Sequence, residues 1–159
     1  MSAIDDMWSE FAAAVGVDAA YTAWGFGDPG RPDQVSQLGL LVRDGPKRAT
    51  AGLLSDYDEE GEPLPSVGDY SIVLDGSGEP LCIILTTEVR VAAFGDVDDQ
   101  FAWDEGEGDR TLAWWRQAHQ GFFRSQGATV DDATQLVLER FDLVWPVAGD
   151  VPGAQVAGP

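Results

Sequence analysis

Apolar positions recur at three- and four-residue spacings over residues 2–16, where Met7, Trp8, Phe11, Ala14 and Val15 form one stripe. The spacing predicts a helix, with Asp5 and Asp6 favouring its first turn and Gly16 ending it. A second short helical piece is predicted over residues 18–24, broken by Gly25-Phe26-Gly27-Asp28-Pro29-Gly30. Residues 33–42 carry Val35, Leu38, Leu41 and Val42 on one side, a further helix that Gly45-Pro46 stops. The chain then loses periodicity, and the acidic run from Ser55 to Pro63 predicts an irregular loop. Tyr70-Ser71-Ile72-Val73-Leu74 is a predicted strand, entered through the turn Val67-Gly68-Asp69. The hairpin turn Asp75-Gly76-Ser77-Gly78 leads from it into the strongest strand, residues 81–91. A short acidic helix start at 96–101 precedes a longer helix over 109–126. Asp109 is its candidate N-cap, and Leu112, Trp115, His119, Phe122 and Phe123 lie along one face. Residues 135–144 form a last strand, and from Pro146 onward Pro, Gly, Ala and Val without periodicity predict a disordered tail. Helices and strands mix without a βαβ rhythm and the strands read as antiparallel. The expected class is therefore α+β, a small curved mixed or antiparallel sheet or β-barrel with flanking α-helices.

Composition leaves this picture in place, since 159 residues with 44% apolar and 23% charged suit one globular domain. Charge changes it. The chain holds 28 Asp+Glu against 9 Lys+Arg, a formal net charge of −19. Such a chain repels a phosphate backbone at long range, which argues against generic binding of duplex DNA. The acidity is uneven. Residues 31–48 hold four bases and two acids, and residues 110–130 hold three bases, no acid and the single histidine, His119. Residues 96–109 between them hold seven acids and no base. Two basic islands in a negative chain favour a small polar or anionic ligand over a long polyanion. The lone cysteine, Cys82, lies in the run Leu81-Cys82-Ile83-Ile84-Leu85 and predicts a buried inert thiol. No apolar stretch has the length of a membrane span, and the first ten residues lack the basic start of a signal peptide. A cytoplasmic protein with no membrane partner is expected.

The candidate chemistry lies where these patterns break. Lys47, the only lysine, follows the Gly45-Pro46 break, with Arg48 beside it and Thr50 three residues on. The same pair of cations also suits a helix C-terminus, where it answers the helix dipole. Glu105 precedes a glycine at the end of the acidic stretch, either in a solvated loop or projecting into a cleft. Beside a lysine and a threonine, a carboxylate there accepts a proton, while the lysine polarises and the threonine supplies a hydroxyl. His119 shares the apolar stripe of its helix, as a satisfied core or pocket-wall residue or as a general acid or base. Trp114 and Arg116 lie off that stripe, placed to line a cleft. One histidine and no thiol cluster argue against a metal, and no phosphate loop, dinucleotide fingerprint or nucleophile elbow is present, so no cofactor is expected.

Gly45-Pro46-Lys47-Arg48-Ala49-Thr50 resembles the Gly-x-Lys-x-x-Thr motif of the ASCH domain family, a branch of the PUA-like superfamily. The resemblance continues through Pro65-Ser66-Val67-Gly68-Asp69, Ile84-Leu85-Thr86-Thr87-Glu88-Val89 and the stretch from Phe101 to Asp109. It closes with Trp115-Arg116, His119, Phe122-Phe123 and Leu136-Val137-Leu138-Glu139-Arg140-Phe141. It covers residues 24–145, which leaves 1–23 as an N-terminal helical extension and 146–159 as the tail. It implies a PUA-like barrel with a cleft at the lysine motif, and RNA-related roles. Some bacterial members of the family are ribonucleases on single-stranded RNA, and a compact branch hydrolyses acetylcytidine with a threonine nucleophile, a lysine and a glutamate. By that resemblance Lys47, Thr50 and Glu105 take the catalytic positions. Arg48, Trp24, Trp114, Arg116 and His119 are the expected ligand-binding residues around them. The expected ligand is a nucleoside, a nucleotide or a short single-stranded RNA, hydrolysed in the enzyme reading and read without turnover in the binding-module reading.

Overall fold

The computed structural model describes residues 2–146. Five helices and five strands follow in the order α1 (Ala3–Val15), β1 (Tyr21–Trp24), α2 (Pro32–Arg43), β2 (Ala49–Leu53), α3 (Leu54–Glu60), β3 (Tyr70–Leu74), β4 (Pro80–Ala93), α4 (Asp99–Glu105), α5 (Leu112–Ser125) and β5 (Gln135–Trp145). The strands hydrogen-bond in the order β1-β3-β4-β5-β2. The fold is α+β with a mixed sheet, and the sheet ends at β1 and β2 instead of closing into a barrel. The tail expected from Pro146 onward lies, beyond Pro146 itself, outside the described residues. Among the described residues no helix is long and apolar enough to cross a membrane.

Three local expectations change. Residues 21–24 form a strand, not a helix, and β1 pairs in parallel with β3, Tyr21 opposite Tyr70 and Trp24 opposite Val73. Tyr21, Thr22 and Trp24 are β-favouring residues, and the edge of β3 offers their backbone partners. The segment after Lys47 is also ordered. Ala49–Leu53 pairs antiparallel with β5, and the acidic stretch after it winds into α3, which Gly61 ends at φ 66°. The N-cap of α5 is Thr111, whose hydroxyl accepts from Trp114 N–H. Asp109 braces that cap by accepting from the Thr111 N–H and hydroxyl.

The chain divides into two compact units, with β4 and β5 contributing residues to both. Of the described residues, the first holds 2–45, 68–86 and 141–146. In it α1 begins at the Ser2 cap, ends at Gly16 in the left-handed conformation, and buries Phe11 against Ile72 and Ile83. Val42, Val73, Cys82, Ile84 and Phe141 form a second apolar group with Phe26, and Cys82 is fully buried. Gly39 lets α2 pack closely on this group, since a Cβ there would lie 2.6 Å from Leu81 Cδ1 and displace that side chain.

The second unit holds residues 46–67 and 87–140. Its core gathers Ala49 and Leu53 of β2, Phe101 and Ala102 of α4, Trp115 and Phe123 of α5, and Leu136 and Leu138 of β5, with Phe94. Alternation along β2 turns Ala49, Ala51 and Leu53 toward this core. It leaves Thr50 and Gly52 on the opposite face. Lys47, Glu105, Glu107 and His119, described next, all belong to this unit.

Candidate functional site

Lys47 stands in the short connection between α2 and β2, and its position follows from two backbone contacts. Arg48 N–H donates to Asp104 O at 2.7 Å, which ties the connection to the end of α4. Gly106 caps α4 at φ 70°, and a Cβ there would lie 2.8 Å from both Lys47 N and Lys47 Cα. Only glycine meets both demands, the left-handed turn and the close approach. The glycine after Glu105, which suggested a flexible approach to a cleft, is instead a tightly packed pivot. It draws Glu105 inward beside Lys47.

The result is a buried charged cluster. Lys47 Nζ donates to Glu105 Oε1 at 2.9 Å, to Glu107 Oε2 at 2.7 Å and to Ala49 O at 2.8 Å. The second oxygen of Glu105 accepts from Trp115 Nε1 at 2.9 Å and faces His119 Nε2 at 3.2 Å. His119 stacks on the Trp115 indole, ring centroids 4.1 Å apart, and its Nδ1 lies 2.9 Å from Trp115 O. Lys47 and Glu105 are 1% exposed, while the side chains of Glu107 and His119 are 19% and 12% exposed, so the cluster meets solvent through these last two.

Two cations and two carboxylates meet here, and their titration follows from the contacts. Burial opposes the charge on Lys47, yet Glu105 and Glu107 overcome it and raise the ammonium above its ordinary value. Burial also opposes the Glu105 carboxylate, but Lys47 and His119 outweigh it and hold the group well below the usual range. Glu107 goes the other way. Burial and the neighbouring Glu105 together exceed the pull of Lys47, so its carboxyl is raised. For His119 burial favours the neutral ring, but Glu105 reverses the balance and raises the imidazole. Geometry agrees. The ring nitrogens face oxygen acceptors, a carbonyl and a carboxylate, an arrangement that favours a proton on each.

The expected site residues divide. Lys47 and Glu105, 58 positions apart, are in direct contact, and His119 joins them. They are enclosed, not spread along an open cleft. Thr50 is half-buried on β2 opposite Glu139, on the sheet face turned away from Ala49 and Ala51. Arg48 is half-buried, and its side chain donates to Lys47 O at 2.7 Å. Trp114 packs its ring over Gly108, where a Cβ would lie 2.2 Å from the indole. Arg116 pairs with Asp132 and lies over Phe94. Trp24 belongs to the first unit, edge-on to Phe26 at 4.7 Å. Trp115 is buried as the stripe predicts, while Leu112 and Phe122 are only partly buried against the core. Glu107 was missed by sequence reasoning. Its signal was the alternation Glu105-Gly106-Glu107-Gly108 just ahead of the Trp-His helix, and in the structure both glycines have positive φ. Among the described residues no group of three or more His, Cys, Asp or Glu side chains is arranged to hold a metal ion.

A sequence model of the ASCH domain matches residues 22–145. A crystal structure of a protein from Enterococcus faecalis V583 is 33% identical, covers 89% of this chain and 88% of its own, and superposes with a TM-score of 0.80. The ASCH domain from Lactobacillus crispatus JV V101 is 31% identical, covers 89% of this chain and 94% of its own, and gives a TM-score of 0.78. No curated protein matches the sequence.

Proposed function

We propose, since this chain belongs to the ASCH domain family, that it binds a nucleoside, a nucleotide or a short single-stranded RNA at the Lys47–Glu105–Glu107–His119 cluster. The family has a PUA-like fold often linked to RNA binding. The observation that carries the reading is the cluster itself. Four ionisable side chains held within hydrogen-bond reach and largely out of water are costly to assemble, and such groups gather at functional sites. Glu107 is the member through which a ligand would engage. It is the more exposed of the two carboxylates and can accept from an exocyclic amine or a sugar hydroxyl. Lys47 then has a donor released toward a carbonyl oxygen of the same ligand. A net charge of −19 favours a ligand of one or a few nucleotides.

Hydrolysis is the second reading, and one observation favours it. Glu107 has a raised carboxyl beside a lysine, the setting in which a carboxyl serves as a general acid or base. In the family-based version Lys47, Thr50 and Glu105 form the centre. The position of Thr50 on the far face of β2 favours binding over that triad.

Calorimetric titration with cytidine, cytidine monophosphate and a short single-stranded RNA tests the reading. Glu107→Gln is expected to weaken cytidine binding about tenfold, one hydrogen bond to a charged group. Absence of binding to all three in the millimolar range overturns it. Turnover of acetylcytidine by the wild type, lost in Thr50→Ala, would put hydrolysis first.

A further inference from the structure

Trp103 is 53% exposed, and among the described residues it is the one tryptophan of six that is neither buried nor half-buried. It is not bare. The Arg110 guanidinium carbon lies 3.6 Å from the centroid of its ring, and Arg110 Nε donates to Trp103 O at 2.9 Å. Arg110 also has the one left-handed backbone found at a non-glycine among the described residues, φ 66°. Its N–H donates to Glu107 O at 3.0 Å, so this unusual residue closes the turn that presents Glu107.

The choice of residue is informative. A turn with positive φ is met most readily by glycine or asparagine, and a long cation there needs a reason beyond the turn. Its electrostatics give one. Arg43, Arg116 and Arg140 each pair with a carboxylate, whereas Arg31, Arg90 and Arg124, like Arg110, are in no ion pair among the described residues; Arg110 differs from these three in lying over an indole. Among the described residues Arg110 makes no ion pair, although Asp104, Glu107 and Asp109 are close to it in sequence. It is laid on an indole instead, and its terminal nitrogens are not committed to any carboxylate. A flat indole–guanidinium pair with unpaired positive charge suits a ligand that combines a flat ring with an anion.

We propose that Trp103 and Arg110 form a stacking subsite for a second nucleotide of single-stranded RNA, next to the nucleotide engaged at Glu107. This rests on the function proposed above. The base stacks on the exposed indole–guanidinium pair, and the Arg110 terminal nitrogens meet the linking phosphate. In a chain this acidic, one cation at the turn gives a local phosphate contact without attracting a long polyanion.

The test uses the full chain with two probes, cytidine and the tetranucleotide of cytidine. Trp103→Ala is expected to weaken tetranucleotide binding about 5- to 150-fold and Trp103→Phe much less, because base stacking on an aromatic side chain has that magnitude. Cytidine binding should stay within about twofold in both variants. Arg110→Gly, which the backbone accepts without strain, should lower the salt slope of tetranucleotide binding by about 0.7, the loss of one phosphate contact. Unchanged tetranucleotide affinity in Trp103→Ala overturns the subsite while leaving the reading at Glu107 standing. Equal losses for both probes overturn a separate subsite. If the wild type binds neither probe, both proposals fall.

Discussion

Two ion pairs in the second unit teach different lessons at similar distances. Lys47–Glu105 spans 2.9 Å with side chains 2% and 1% exposed, and Arg116–Asp132 spans 2.5 Å with side chains 34% and 77% exposed. Separation does not decide what each is worth; access to water does. An exposed pair exchanges one good solvation for another and contributes about 0–1 kcal/mol. A buried pair is indispensable only because it exists. Each charge has lost its water, and the partner is what replaces it.

The largest break in this contrast should come from Lys47→Met. It leaves Glu105 and Glu107 side by side with His119 as their only cation, and a loss of about 3–5 kcal/mol is expected in urea unfolding. A loss below about 1 kcal/mol would mean that the cluster is better hydrated than its burial implies.

Next in size is the pivot. Gly106→Ala combines a left-handed backbone with a Cβ at 2.8 Å from Lys47 backbone atoms, whereas Gly61→Ala has φ 66° and open space around it. Each should lose the conformational term of about 1–2 kcal/mol. Gly106→Ala should lose more, and the difference between the two melting temperatures measures the close approach alone. Equal losses would show that the Lys47 connection moves aside freely.

A smaller effect separates the pairs by pH. His119 is raised above its unfolded value of about 6.5. Its contribution is therefore complete below that value and is lost as pH rises through the folded value. Wild-type melting temperature should decline across this window, and His119→Gln should flatten the decline. As the chain has one histidine, nitrogen NMR reads it directly. Signals of a neutral ring at pH 6 would contradict the two-acceptor geometry.

The smallest effect is expected at the surface. Asp132→Asn removes the exposed pair but leaves Arg116 over Phe94, and should change stability by less than about 1 kcal/mol. That change should shrink further in 1 M salt, where the Debye length is about 3 Å, while the Lys47→Met loss persists.

How far such a cluster can be read in advance depends on what makes it. Phe11, Val42 and Trp115 were legible because periodicity reports burial directly. The contact of Lys47 with Glu105 was legible only through resemblance to a family, since no spacing rule joins residues 58 positions apart. β1 and β2 were not legible. Both are short, four and five residues, too few for alternation to stand out, and each is held by a neighbouring strand. The burial of the cluster was hidden for a related reason. Seven acids in residues 96–109 look solvated when counted, and the close approach of Gly106 to Lys47 brings Glu105 and Glu107 in to its ammonium.

The parallel pairing of β1 with β3 has a consequence in time. Thr22 and Ser71 are 49 positions apart and α2, β2 and α3 lie between them in the chain, so β1 has no template until β3 has formed. Closing so long a loop for four residues of pairing places this contact among the slow, non-local ones. β1 is also an edge strand. It should therefore join late during folding, and in the native protein the amides of Tyr21–Trp24 that bond to β3 should exchange with deuterium ahead of those between β3 and β4. The start of the ASCH segment is thus the part of the sheet whose order depends most on everything that follows it.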